Sequence, residues 1–123
     1  MTDETLPSGE YAVYENAHDL IAVIIKKGLS EKVLDSAKIA GAEGGTIMYG
    51  RGTGIHEKAK LLGIPIEPEK EIIFIIIDKK KTKKVLDSIV SSTNLSKPGV
   101  GIAFVIELSK VLGICHGLDC QQG

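Results

Sequence analysis

The chain has 123 residues, 43% of them hydrophobic and 25% charged, which fits one globular domain with enough apolar content for a core. Fifteen Lys and Arg against sixteen Asp and Glu leave a formal charge of -1, and aromatic residues make up 4% with no Trp. That balance excludes the basic face and stacking platform of a nucleic-acid binder and supplies no pull toward an anionic membrane.

The opening, MTDETLPSGEYAVYENAHD, is acidic and lacks the basic start and apolar core of a secretory signal. No apolar run approaches the roughly 20 residues that span a bilayer. The expectation is a cytoplasmic protein without membrane insertion. Residues 1–18 read as a loosely ordered extension, 19–114 as the domain, and 115–123 as a cysteine-containing tail.

In chain order, LIAVII (Leu20 to Ile25) is continuously apolar and β-branched, the pattern of a strand covered on both faces. Leu29, Val33, Ala37 and Ala40 then recur at helical spacing, with Ser30 expected as cap and Gly41 as terminator. GTIMYG is the second strand. The connection from Gly52 to Glu71 is longer than most in compact domains, a length usual for functional loops. IIFIIID (Ile72 to Asp78) is the third strand. A second helix follows through Thr82, Val85, Leu86, Ile89 and Val90, with Thr82 as cap and Pro98 barring its continuation. GIAFVIEL closes the pattern as the fourth strand.

These elements contain a duplication. KVLDS occurs at Lys32 to Ser36 and again at Lys84 to Ser88, and Ile21 to Ala37 aligns with Ile73 to Ile89 without a gap. Two β-α-β units in a chain this short imply an α+β, ferredoxin-like βαββαβ sandwich, an antiparallel sheet with both helices on one face. The opposite face would be a large apolar patch, so association through the sheet is expected.

The order of elements, the glycine-bearing GGTIMYGRGTG, PEKEIIFIIID and KPGVGIAFVIELSKVLGI resemble the PII signal-transduction proteins of nitrogen regulation over about residues 19 to 114. The resemblance implies a homotrimer with adenine nucleotide bound between subunits. It also implies a mobile T-loop that docks on a target transporter or metabolic enzyme. Nucleotide-binding positions carried over are Thr46, Gly52, Gly54, Gly99 and Gly101; Arg51, at the loop root, is added to them from its own charge and place in the sequence. The partner-binding loop is represented by Thr53, Ile55, His56, Glu57 and Lys58. Gly99 to Gly101 is expected to face the T-loop root only in the assembled trimer.

Departures narrow that expectation. Ile102 stands where typical members carry a phosphate-binding lysine, and Gly113 and Cys115 stand where they carry two arginines. Fewer cations weaken the hold on a triphosphate, so ADP, AMP or a different ligand becomes more credible than tightly bound ATP. His56 replaces a glutamine linked to 2-oxoglutarate, and the loop has no Tyr or Ser in the region where relatives are modified. No cofactor, metal or catalytic residue is expected, and the chain reads as a regulator rather than an enzyme. A slow nucleotide hydrolase, or a PII-like trimer responding to redox state, a metal or a small ligand of carbon metabolism, is the alternative.

Several residues carry two readings. Arg51 fits a phosphate contact or a solvated surface charge equally well. Lys79, Lys80, Lys81, Lys83 and Lys84 read as a solvated face, His56 as a surface residue, and Tyr49 as a packing or interface residue. By resemblance to some cyanobacterial PII-like proteins, Cys115 and Cys120 form a redox pair; the alternative is two free thiols.

Overall fold

A computed structural model describes residues 2–5, 12–53, 59–61, 63–66 and 68–114. Its elements are β1 (Thr2–Thr5), β2 (Ala12–Lys26), α1 (Ser30–Ile39), β3 (Thr46–Arg51), β4 (Ala59–Leu61), β5 (Ile64–Ile66), β6 (Glu69–Asp78), α2 (Thr82–Thr93) and β7 (Gly101–Leu112). A single turn of 3-10 helix, Lys79–Lys81, leads into α2. Four antiparallel strands in the order β3, β6, β2, β7 form the main sheet, with two helices against it. This is the ferredoxin-like arrangement that the duplication implies.

The repeat is kept in the elements themselves. The strand ends Lys26 and Asp78, and the helix starts Ser30 and Thr82, are each separated by 52 residues. Core packing follows the strand alternation. Ile21, Val23 and Ile25 of β2 and Ile73, Ile75 and Ile77 of β6 meet Val33, Ala37, Val85 and Ile89 of the helices. On the other face, Met48, Phe74, Ile76, Ile102, Phe104 and Ile106 are exposed. Ala22 lies between Phe74 and Phe104 in the strand register and is buried although it belongs to that open face.

β2, the strand expected from Leu20, starts at Ala12, within the stretch expected to be an extension. Its early part pairs with Val111 and Leu112 of β7 on one side and with β1 on the other. A polar strand held only by edge pairing has no apolar run to announce it. A bulge between Glu15 and His18, with Asn16 at φ 54°, separates this part from the core.

Neither Ser30 nor Thr82 caps its helix with its own side chain; both are first helical residues. The Ser30 amide instead donates to Oε1 of Glu71 at 2.8 Å, while the Thr82 hydroxyl donates to Oδ2 of Asp19 at 2.7 Å. The far ends are built alike. Ala42 N donates to Ala37 O and Gly41 N to Lys38 O after α1, and Leu95 N donates to Val90 O after α2. Asn94, at φ 56°, therefore ends the second helix, four residues before the expected breaker Pro98.

The long connection leaves β3 at Arg51 and returns at Glu69, with the short β4–β5 pair inside it. Gly52 N donates to Pro68 O at 3.1 Å, which joins the two legs at the root.

Candidate functional site

Across the sheet, Gly50 pairs with Lys70, Lys70 with Lys26, and the neighbouring Ile25 with Gly101. The end of β3 and the start of β7 therefore lie at one edge of the sheet. A cleft of about 600 Å³ opens there. Arg51, Gly52 and Thr53 line one side and Lys97, Pro98, Gly99 and Gly101 the other, with Lys70, Ile72, Ile24 and Ile102 between them. The expectation that the two loops face each other only in a trimer is thus corrected. Strand register alone brings them together within one chain.

The loop before β7 is a tight turn. Val100 N donates to Lys97 O at 3.4 Å across Pro98 and Gly99, and Gly99 has φ +83°, as the third position of a type II turn requires. Further bonds from Lys97 N to Asn94 O (2.9 Å) and from Lys26 N to Val100 O (3.2 Å) fix both ends. The two glycines serve different ends. A Cβ on Gly99 would meet open space, whereas one on Gly101 would overlap the carbonyl oxygen of Ile24 and come within 2.9 Å of Ile25 Cα. Gly101 is therefore demanded by strand packing, independently of any ligand.

Thr46 lies elsewhere. It lines a second cleft of about 1020 Å³ with Gly45, Met48, Phe74, Ile76, Leu112 and others at the opposite end of β3. Arg51 lies five residues further along the strand, roughly 17 Å away at strand rise. Gly54, Ile55, His56, Glu57 and Lys58 fall outside the described residues, as do Cys115 and Cys120.

Charged neighbours tie the cleft to the helices. Lys27 pairs with Glu69 at 2.8 Å, and Glu69 lies opposite Arg51 in the strand register. Glu71 is buried at the start of α1. Burial alone pushes its carboxyl up, but the bonds it accepts from Ser30 and the backbone amides of Gly28 and Leu29 outweigh this and hold it below its ordinary value. Asp19 is governed alike: burial raises it, and hydrogen bonds from Lys79 (2.9 Å) and Thr82 bring it below its ordinary value.

Lys79 also reaches Glu107 at 3.4 Å, so the basic run is not all a solvated face; Lys79 ties β2 and β7 to the entry of α2. His18 is buried edge-on to Tyr14, with ring centroids 5.2 Å apart. Tyr49 is exposed, beside Lys27 and Arg51. Among the described residues there is no cluster of three His, Cys, Asp or Glu that could hold a metal, and no helix is long and apolar enough to cross a membrane.

Sequence reasoning missed Lys70 and Lys97 as lining residues and Glu71 and Asp19 as helix anchors. For the anchors the signal was present. Asp19 and Glu71 are also 52 residues apart, just beyond the aligned window.

With a duplicated βαβ sheet, a loop rooted beside a glycine turn, and clefts at both ends of β3, the chain has the form of a ferredoxin-like domain with room for a ligand at its loop root. Comparison with known families matches nitrogen regulatory protein P-II over residues 18–117, and the chain belongs to that family. No curated protein matches it. Members of the family are in general non-enzymatic regulators of nitrogen metabolism, and typically form trimers that bind targets.

Proposed function

We propose that this protein is a non-enzymatic, trimeric regulator that senses an adenine nucleotide between subunits and controls a transporter or enzyme of nitrogen metabolism through its T-loop. The observation that carries this reading is the cleft shared by Arg51 to Thr53 and Lys97 to Gly101. A ligand held there touches the loop where it departs, so occupancy bears directly on the loop's conformation. Apolar walls at Ile24, Ile72 and Ile102 suit a flat organic group, and the cations Arg51, Lys70 and Lys97 suit phosphate.

The trimer supplies the rest of the site in this reading. Thr46 lines a separate cleft from Arg51 on its own chain, so in this reading a neighbour's Thr46 completes the site. The open sheet face, with Phe74, Ile76, Phe104 and Ile106 exposed, offers the surface for such assembly. With Ile102 apolar, ADP and AMP are expected to bind at least as well as ATP.

Calorimetric titration with ATP, ADP, AMP and 2-oxoglutarate, with and without magnesium, tests the sensor. Heat from at least one adenine nucleotide is expected, and none from any of them ends the reading. Light scattering tests the assembly: a mass three times that of the chain is expected, and a monomer at micromolar concentration contradicts it.

A further inference from the structure

Among the described residues, the cleft between the loop root and the glycine turn is lined by three cationic side chains, Arg51, Lys70 and Lys97, and by no acidic one. Their circumstances differ. Arg51 lies opposite Glu69 in the sheet and acts electrostatically on it. Lys70 is buried. Lys97 is exposed and has no ion pair among the described residues, unlike Lys27, Lys79, Lys83 and Lys110, each of which has a carboxylate within 4 Å.

Its backbone is nevertheless fixed. Lys97 contributes both its amide, to Asn94 O, and its carbonyl, to Val100 N, so it opens the turn whose glycine points no side chain into the cleft. Beyond the turn, Ile102 presents an apolar side chain, 57% exposed, to the same cleft.

We infer that Lys97 is the anion-binding residue of this turn: its ammonium meets the terminal phosphate of the ligand, from the side of the turn opposite to Ile102. This rests on the nucleotide reading for the organic part of the ligand but not for the anion. A single mobile ammonium, placed before the turn rather than after it, is a point charge with three donors and enforces no fixed fork geometry. The site therefore selects for a terminal phosphate close to the turn, which a nucleoside diphosphate provides, and gains little from a third phosphate. Electrostatic preference follows because, among the described residues, no carboxylate pairs with this ammonium.

The test compares the wild type with Lys97→Ala, Lys97→Arg and Ile102→Lys in the full chain, titrated with ADP, ATP, adenosine and inorganic pyrophosphate. Amide shifts of Gly99 and Val100 are followed in parallel by NMR. Loss of one charged hydrogen bond predicts that Lys97→Ala binds ADP and pyrophosphate roughly ten- to a hundred-fold more weakly, with adenosine unchanged. Lys97→Arg should restore most of the affinity, and Ile102→Lys should favour ATP over ADP relative to the wild type.

Wild-type ADP affinity in Lys97→Ala overturns the inference, as does an equal loss for adenosine, which would mean a collapsed turn. Should the wild type bind pyrophosphate in a Lys97-dependent way but no nucleotide, the anion site stands and the nucleotide reading falls. Binding of neither ligand removes both.

Discussion

The two halves of the duplication start their helices in the same place and hold them by exchange. Asp19 on β2 and Glu71 on β6 are equivalent positions of the repeat, and each binds the helix start of the other half: Asp19 to Thr82, Glu71 to Ser30. The exchange differs in kind. Glu71 accepts from the Ser30 side chain and from backbone amides of the turn into α1, while Asp19 accepts from side chains only, Lys79 and Thr82, the first of them partly exposed. A duplicated scaffold has thus kept the position of its carboxylates while giving them different partners. The half that carries the loop return, through Glu69 to Glu71, received the backbone-bound version.

Glycine entry to the second strand of each half separates the halves most sharply. A Cβ on Gly101 meets backbone, the Ile24 carbonyl and Ile25 Cα; one on Gly45 meets the tip of Leu34 at 2.7 Å, Ile75 Cγ1 at 3.1 Å and the Phe74 carbonyl at 3.1 Å. Backbone cannot yield as a side-chain tip can. Gly101→Ala is expected to destabilise by about 3 kcal/mol, and Gly45→Ala by about 1–2 kcal/mol, as read from urea midpoints. Equal losses would erase the difference.

Next in size is the exchange itself. Glu71→Ala strands the buried Ser30 amide at the start of α1, for an expected loss of about 2–3 kcal/mol at pH 7, against about 1–2 kcal/mol for Asp19→Ala, whose partner Lys79 can turn to water. Both carboxyls sit below their ordinary values when folded, so the stability they supply is present above the ordinary carboxylate range. It is lost as pH falls through the lowered values. The deficit of Glu71→Gln relative to wild type should accordingly shrink when urea midpoints measured at pH 7 are repeated near pH 3; a constant deficit would show that the charge is not what binds α1.

The smallest effect belongs to the exposed Lys83–Asp87 pair on α2, 2.8 Å apart and four residues along the helix. Lys83→Ala should leave the midpoint unchanged within error, since solvent screens such pairs. A clear loss would mean that this face of α2 is covered by something else.

How far the sequence could be read follows from the same contrasts. Continuous apolar runs such as IIFIIID and repeated KVLDS report on burial and local period, so strands, helices and the topology they form are legible. The early part of β2 was not, because AVYE owes its strand to β1 and β7 rather than to its own pattern. Helix starts were misread for a related reason: Ser30 and Thr82 have capping chemistry, but carboxylates from distant strands took the place of a local cap. Within the site, Arg51, Gly52, Gly99 and Gly101 do converge, yet Lys70 and Lys97 join them only because sheet register and a proline-glycine turn place them there. Thr46 stands apart, as the strand between it and Arg51 requires. A site divided between strand ends is written in three dimensions before it is written in order.

The buried Ala22 between Phe74 and Phe104 gives the open face a relief. Two phenyl rings flank one methyl group, so this surface has a socket at its centre rather than a plane. Any second surface that settles here must bring a protrusion of matching size or leave a void, and packing of that kind sets a register as well as an affinity. One small side chain on the central strand thereby limits which surfaces can fit, long before any loop takes part.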